Sequence, residues 1–191
     1  MVIGPRFVIG HIGKTAGDAI KQLLQTLRLP GVGSFPIESP RKHWTFRQWG
    51  GDLAGRELAL SFRRLPAFLL SQFHHRHLDG RLSEPPSAEQ MCQDYAADFY
   101  LRLYTDEGRL RIDHWLRSET IREDLLVFLN RHVALTEEQQ AAIRSAPTKS
   151  SLPYNHDWRA VFQADHLRSM YQRNPLWADV EQRVYGSLLR E

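Results

Sequence analysis

Near the start of the chain, Gly10-His11-Ile12-Gly13-Lys14-Thr15-Ala16-Gly17 combines the residue types that hold an anion. Lysine brings a mobile positive charge, threonine a hydroxyl, and glycine lets backbone N–H groups come close to a ligand. The flanks strengthen the reading. Phe7-Val8-Ile9 is a continuous apolar run of the kind a buried parallel strand shows. Beyond the loop, Ile20, Leu23, Leu24 and Leu27 recur at i, i+3, i+4 and i+7, the stripe of an amphipathic helix. A helix opening at such a loop presents N–H groups that have no acceptor within it, at the positive end of its dipole. The spacing therefore predicts a phosphate site at Gly13, Lys14, Thr15, Ala16 and Gly17, with Asp18 in the first helical turn. It is not the G-x-x-x-x-G-K-[ST] loop of ATP and GTP hydrolases, because Val8 stands where that loop needs glycine. No later strand ends in an obvious magnesium-binding aspartate either.

A second basic region supports an anionic ligand. Between Arg41 and Leu78 there are seven Arg and Lys residues against two acids, and His43, His74, His75 and His77 lie in the same stretch. Aromatic and basic residues are not interleaved as in a nucleic-acid module, so a small phosphorylated ligand is the more economical expectation. Histidine is the natural proton acceptor near neutral pH. His43, in Arg41-Lys42-His43-Trp44-Thr45-Phe46, is the first candidate base and His11 the second. His74 and His77 share a helix face, but Arg76 lies between them and no acid cluster is tied to them, so no metal site is expected.

Four segments, in order, resemble the PAPS-dependent sulfotransferases, the family of carbohydrate sulfotransferases and their soluble bacterial relatives. PAPS is 3′-phosphoadenosine-5′-phosphosulfate. Residues 10–17 are similar to the family's H-I-P-K-T-A-G loop, which cradles the 5′-phosphosulfate. Arg63 and Ser71 keep the spacing of its R-[DN]-P-x-x-R-x-x-S motif, which holds the 3′-phosphate, although Arg64 replaces the acid and Pro66 is displaced by one. Arg117 to Asp124 resembles R-x-E-x-[LI]-x-x-D, and Tyr171 with Tyr185-Gly186 resembles the closing signature. Gly13 stands for the family's proline and Asp18 for its Thr or Ser.

The resemblance implies PAPS as donor without a metal, and a hydroxyl of a small-molecule or carbohydrate acceptor. Lys14 would steady the leaving phosphate, Arg63 and Ser71 would hold the 3′-phosphate, and His43, after the family's G-H-x-x-[TF] segment, would take the acceptor's proton. Trp44 and Trp49 could face that acceptor. A nucleotide or small-molecule kinase and a non-catalytic nucleotide-binding domain are the alternatives.

These side chains need a scaffold that strands and helices alternate to build. Leu58 to Phe62 and Leu110 to Leu116 read as further strands, and a helix should begin near Pro66, a residue suited to a first helical turn, with Phe68, Leu69 and Phe73 inward. Ala88 to Tyr104 reads as one helix with Met91, Tyr95, Phe99 and Leu103 on one side. Ile121, Leu125, Phe128 and Leu129 mark another, Thr136-Glu137-Glu138-Gln139 is a capping box opening the next, and Trp158–Tyr171 and Leu176–Leu189 close the chain. Residues 146–157 read as irregular, with Lys149 a surface residue.

The expectation is α/β: a single three-layer domain over residues 1–191, with a small parallel sheet, a P-loop-like strand-turn-helix and a helix-rich C-terminal half. The 191 residues suffice for a real core, and 42% hydrophobic with 25% charged residues is the balance of a globular chain. The lone Cys92 leaves no intramolecular disulfide and reads as a small core residue. No apolar run approaches a membrane span and no signal-peptide core precedes the first strand, so a cytoplasmic location is expected.

Overall fold

In the computed structural model the described residues are 1–36, 39–146 and 154–189. In chain order the elements are β1 (Val2–Ile3), β2 (Phe7–His11), α1 (Gly17–Leu27), β3 (Gly33–Ser34), α2 (Phe46–Trp49), β4 (Glu57–Phe62), α3 (Leu65–Leu78), α4 (Ala88–Cys92), α5 (Ala96–Tyr104), β5 (His114–Arg117), α6 (Ile121–Asn130), α7 (Glu137–Ser145), α8 (Ala164–Arg173) and α9 (Pro175–Tyr185). Short 3₁₀ turns lie at Pro40–His43, Ser118–Thr120 and Trp158–Ala160. The chain is an α/β protein with one five-stranded sheet in the order β3-β1-β2-β4-β5.

The inner pairs β2–β4 and β4–β5 are parallel, while β1 pairs antiparallel with both β2 and β3. The sheet is therefore mixed rather than parallel. Val2-Ile3 and Gly33-Ser34 are too short to announce themselves by periodicity, and they pair only because the turn at Gly4, whose N–H reaches the Phe7 carbonyl, folds β1 back on β2.

Contacts group the chain into two compact units, residues 1–62 with 103–150 and residues 63–102 with 151–191. In the first, every residue of β2 is buried, as a strand covered on both faces requires. Phe7 and Ile9 join Ile20 and Leu24 of α1 and Leu125, Phe128 and Leu129 of α6 in one core. The alternate residue Val8 packs with Leu58 and Phe46, backed by the half-buried Trp44, Trp49, Leu110 and Ile112. The third strand begins at His114, four residues later than periodicity suggests. Asp113 ends the preceding segment by exchanging bonds with Leu58: its N–H donates to the Leu58 carbonyl and its Oδ2 accepts the Leu58 N–H, each at 2.9 Å.

In the second unit, α3 carries Phe68, Leu69 and Phe73 inward and stacks Phe68 on Trp177 of α9 with 4.5 Å between ring centroids. The expected helix over residues 88–104 is two helices. Asp94 Oδ1 accepts the Ala96 N–H at 2.6 Å and restarts the helix in a new phase. That rotation exposes Tyr95 (72%), Phe99 (56%) and Leu103 (42%) and buries Ala97, Leu101 and Tyr104 instead. Trp158 to Tyr171 likewise divides into a 3₁₀ turn and α8, and the last helix stops at Gly186, whose left-handed φ of 76° supplies its C-terminal cap. The Thr136 capping box is formed, and Cys92 is buried. Lys149 lies outside the described residues. Among the described residues no helix is long and apolar enough to cross a membrane.

Candidate functional site

The loop between β2 and α1 spans Ile12–Ala16. Its two left-handed residues are Lys14 (φ 69°) and Ala16 (φ 67°), neither of them glycine. Each such residue costs of the order of 1–2 kcal/mol, so the surrounding contacts must hold the loop in place. Thr15 supplies that hold. It is fully buried, and its Oγ1 lies 2.6 Å from the Ile12 carbonyl and 2.6 Å from Ser61 Oγ. A carbonyl can only accept, so the Thr15 proton goes to Ile12 and the Ser61 hydroxyl must donate to Thr15. Ser61 pairs with His11 across β2 and β4, which fastens the loop to the neighbouring strand. The hydroxyl of Thr15, which the sequence places at the phosphate, is hydrogen-bonded within the loop and to the neighbouring strand.

Gly17 has an equally structural reason. A Cβ there would fall inside the imidazole of His11, which lies against the first turn of α1. Gly13 is open, its nearest neighbour being His43 Cε1 at 4.0 Å. Gly17→Ala should therefore cost about 1–3 kcal/mol through overpacking, whereas Gly13→Ala should stay within about 0.5 kcal/mol. Urea denaturation of both variants checks this, and equal midpoints would show that His11 does not press on the helix.

The first i→i−4 bond of α1 runs from Ile20 N–H to the Ala16 carbonyl, so the N–H groups ahead of it face out of the helix end. Around that end the first unit gathers His11, Lys14, Asp18, Lys42 and His43. The 3₁₀ turn carrying Lys42 and His43 is opened by Ser39, whose Oγ accepts the Arg41 N–H, and by Pro40. His43 packs edge-on against His11, with centroids 4.9 Å apart and planes at 62°. Lys42 Nζ stands 3.7 Å from Asp18 Oδ2, so the carboxylate that would repel an anion has a cation beside it. Lys21, one turn along α1, is buried at 1% exposure.

His11 is 5% exposed and its Nε2 has no hydrogen-bond partner. Burial, reinforced by the Met1 amino group, His43, Lys21 and Lys42, holds it well below the usual histidine range. It is a neutral ring, and acid should cost it. The unfolded chain takes up a proton near pH 6.5, while the folded protein does so only at much lower pH. Stability should therefore fall as pH drops below about 6.5, by up to about 1.4 kcal/mol per pH unit for this imidazole. A His11→Gln variant should show a shallower slope in denaturation midpoints between pH 7 and pH 5. An unchanged slope would mean that His11 already protonates in the folded state.

Arg63 and Ser71 belong to the second unit, where Arg63 is half-buried directly after β4 and Ser71 is 5% exposed on α3. Arg64, which replaces the family's acid, donates to Glu181 Oε1 at 3.1 Å and to the Ser187 carbonyl at 2.9 Å, and lies 4.2 Å over the Tyr185 ring. The buried Glu181 does not stand out in the sequence. Its signal would have been an acid set among the apolar positions of α9. Asp124 clamps Arg117 through two side-chain bonds, Nη2 to Oδ1 at 2.7 Å and Nε to Oδ2 at 2.9 Å, and is structural. Trp44 and Trp49 are half-buried beneath Arg41 and Arg56. His74 stacks on Tyr154 and His77 Nδ1 lies 3.1 Å from the Leu82 carbonyl, while the stretch remains half-exposed. Among the described residues no group of His, Cys, Asp and Glu could hold a metal ion.

The chain matches no family model, curated protein or solved structure.

Proposed function

We propose that the protein is a PAPS-dependent sulfotransferase acting on a hydroxyl of a small-molecule or carbohydrate acceptor, with the β2–α1 loop as a P-loop-like phosphosulfate site. The observation that carries the reading is the Lys42–Asp18 pair and the edge-packed His11–His43 pair at one helix end, beside the loop in which Lys14 lies. Such an end binds an oxyanion through outward N–H groups and the dipole. Lys14 adds charge where it develops on the leaving phosphate.

In the transfer, an imidazole nitrogen of His43 accepts the acceptor's hydroxyl proton while that oxygen bonds to sulfur. The sulfur–oxygen bond to the 5′-phosphate breaks, and its electron pair leaves with 3′-phosphoadenosine-5′-phosphate. Lys14 meets the charge that accumulates on that phosphate. Proton transfer of this kind contributes about 10²–10⁴-fold.

The kinase alternative is weakened by Thr15. Its P-loop counterpart offers its hydroxyl to Mg²⁺, whereas this hydroxyl is spent on Ile12 and Ser61. Calorimetry with 3′-phosphoadenosine-5′-phosphate, ATP and GTP, with and without Mg²⁺, tests the reading. Metal-independent binding of the bisphosphate is the expected result. Binding of ATP alone, and only with Mg²⁺, would turn the assignment to a kinase. Bisphosphate binding without turnover over a broad acceptor panel would favour the non-catalytic domain.

A further inference from the structure

His43 is exposed, yet its ring is hemmed in by charge. Its Cε1 faces Gly13 of the loop, and its edge meets the neutral His11 at the end of β2. From α1, Asp18 and the buried Lys21 act on it. From its own turn Lys42 does so, while Arg41 lies over Trp44 at 5.0 Å. The Met1 amino group donates to the Lys42 carbonyl at 2.7 Å, and burial lowers that amine to about 5. Tyr104 fixes the turn by donating its hydroxyl to the His43 carbonyl at 2.8 Å. The environment is net cationic with one carboxylate, and it lies next to the helix end that binds anions.

Such surroundings make an empty site a poor place for a proton. Partial burial and then Lys42 hold His43 below its ordinary value, with Asp18 opposing. An anion on the loop reverses the sign of the local field, and an opposite charge within a few ångströms raises an imidazole's affinity for protons by about one unit or more.

We propose that the anion bound at the loop tunes His43 as a base, raising its basicity toward the ambient pH so that donor binding draws in a fraction of a proton. This rests on the reading of the loop as the phosphosulfate site and of His43 as the acceptor's base. General bases work best when their basicity matches the ambient pH, and bound donor brings His43 toward that match. Acceptor meeting an empty site would face an imidazole that holds a proton weakly.

The test is an NMR titration of the His43 imidazole in the whole chain, without ligand and with saturating 3′-phosphoadenosine-5′-phosphate, repeated in Lys42→Gln. The expected result is a rise of the His43 midpoint by about one pH unit on binding. In the empty Lys42→Gln protein the midpoint should already be higher, and the ligand-induced step smaller. If the bisphosphate shifts the loop resonances while the His43 midpoint stays or falls, the tuning is wrong and the site reading stands. If Lys42→Gln leaves the empty-protein midpoint in place, the electrostatic origin of the tuning is wrong. If the bisphosphate moves no loop resonance at all, the reading of the site falls and takes the tuning with it.

Discussion

Glu181→Ala should lower stability by about 3–5 kcal/mol. The Glu181 carboxylate is fully buried in α9 and has three donors within the second unit. Its Oε2 accepts the Leu65 N–H at 2.8 Å, and its Oε1 accepts Arg64 Nη1 at 3.1 Å and the Tyr171 hydroxyl at 2.9 Å. Leu65 opens α3, so the carboxylate sits on the positive end of that helix dipole and satisfies one of its outward N–H groups. Burial pushes the Glu181 carboxyl up, and its contacts with Leu65, Tyr171 and Arg64 work against that push. Burial, with Glu181 next, also raises the Tyr171 phenol. Truncation to alanine removes the acceptor and leaves a half-buried guanidinium and a buried N–H without it. Removing one partner costs far more than the pair contributes against an apolar substitute. Glu181→Gln should fall between, because its amide keeps one acceptor oxygen but turns an NH₂ toward a donor. Urea denaturation measures both, and midpoints should fall with an unchanged m-value. A loss below about 1 kcal/mol in the alanine variant would show that the network bears little of the unit's stability.

The Glu181 network also marks where sequence reading ends. The strand-loop-helix at residues 7–27 was legible because burial on both faces of β2 and the 3.6-residue stripe of α1 are local patterns. Pro66 and the Thr136 capping box were legible for the same reason, being chemistry confined to one helical turn. What failed was relation at a distance. The antiparallel edge formed by β1 and β3 depends on pairing, and neither strand is long enough to carry a pattern. Residues 88–104 keep helical spacing throughout, yet one carboxylate, Asp94, breaks the helix and reverses which side is buried. At the loop, the structure shows packing duties that residue types alone do not reveal. Glycine at 17 makes room for a ring, lysine and alanine take the left-handed positions, and the threonine hydroxyl is an internal tie. Some partners lie far along the chain: Ser61 for Thr15, and Lys42 for Asp18.

On the proposed function, His43→Ala should cut sulfuryl transfer by about 10²–10⁴-fold while changing bisphosphate affinity by less than about threefold, as expected for loss of a general base. The fold should tolerate the change. The ring is exposed, and the turn is held by backbone contacts, the Trp44 N–H to the Arg41 carbonyl at 3.1 Å and Tyr104 to the His43 carbonyl, which alanine preserves. His11 provides the contrast that gives the result its meaning. It is buried against Gly17, so His11→Ala opens a cavity behind the loop and should weaken donor binding and stability together, by roughly 1–3 kcal/mol in the denaturation midpoint. A base seated at the front of the loop loses rate and keeps affinity, whereas a buttress behind it loses both. Donor turnover in the presence of monosaccharides and simple alcohols, read beside calorimetric binding of the bisphosphate, separates the two. Undiminished turnover in His43→Ala would remove His43 from the chemistry. Turnover lost in His11→Ala with affinity and midpoint intact would move the proton-accepting role to His11, and a proton would then have to reach a ring that is 5% exposed.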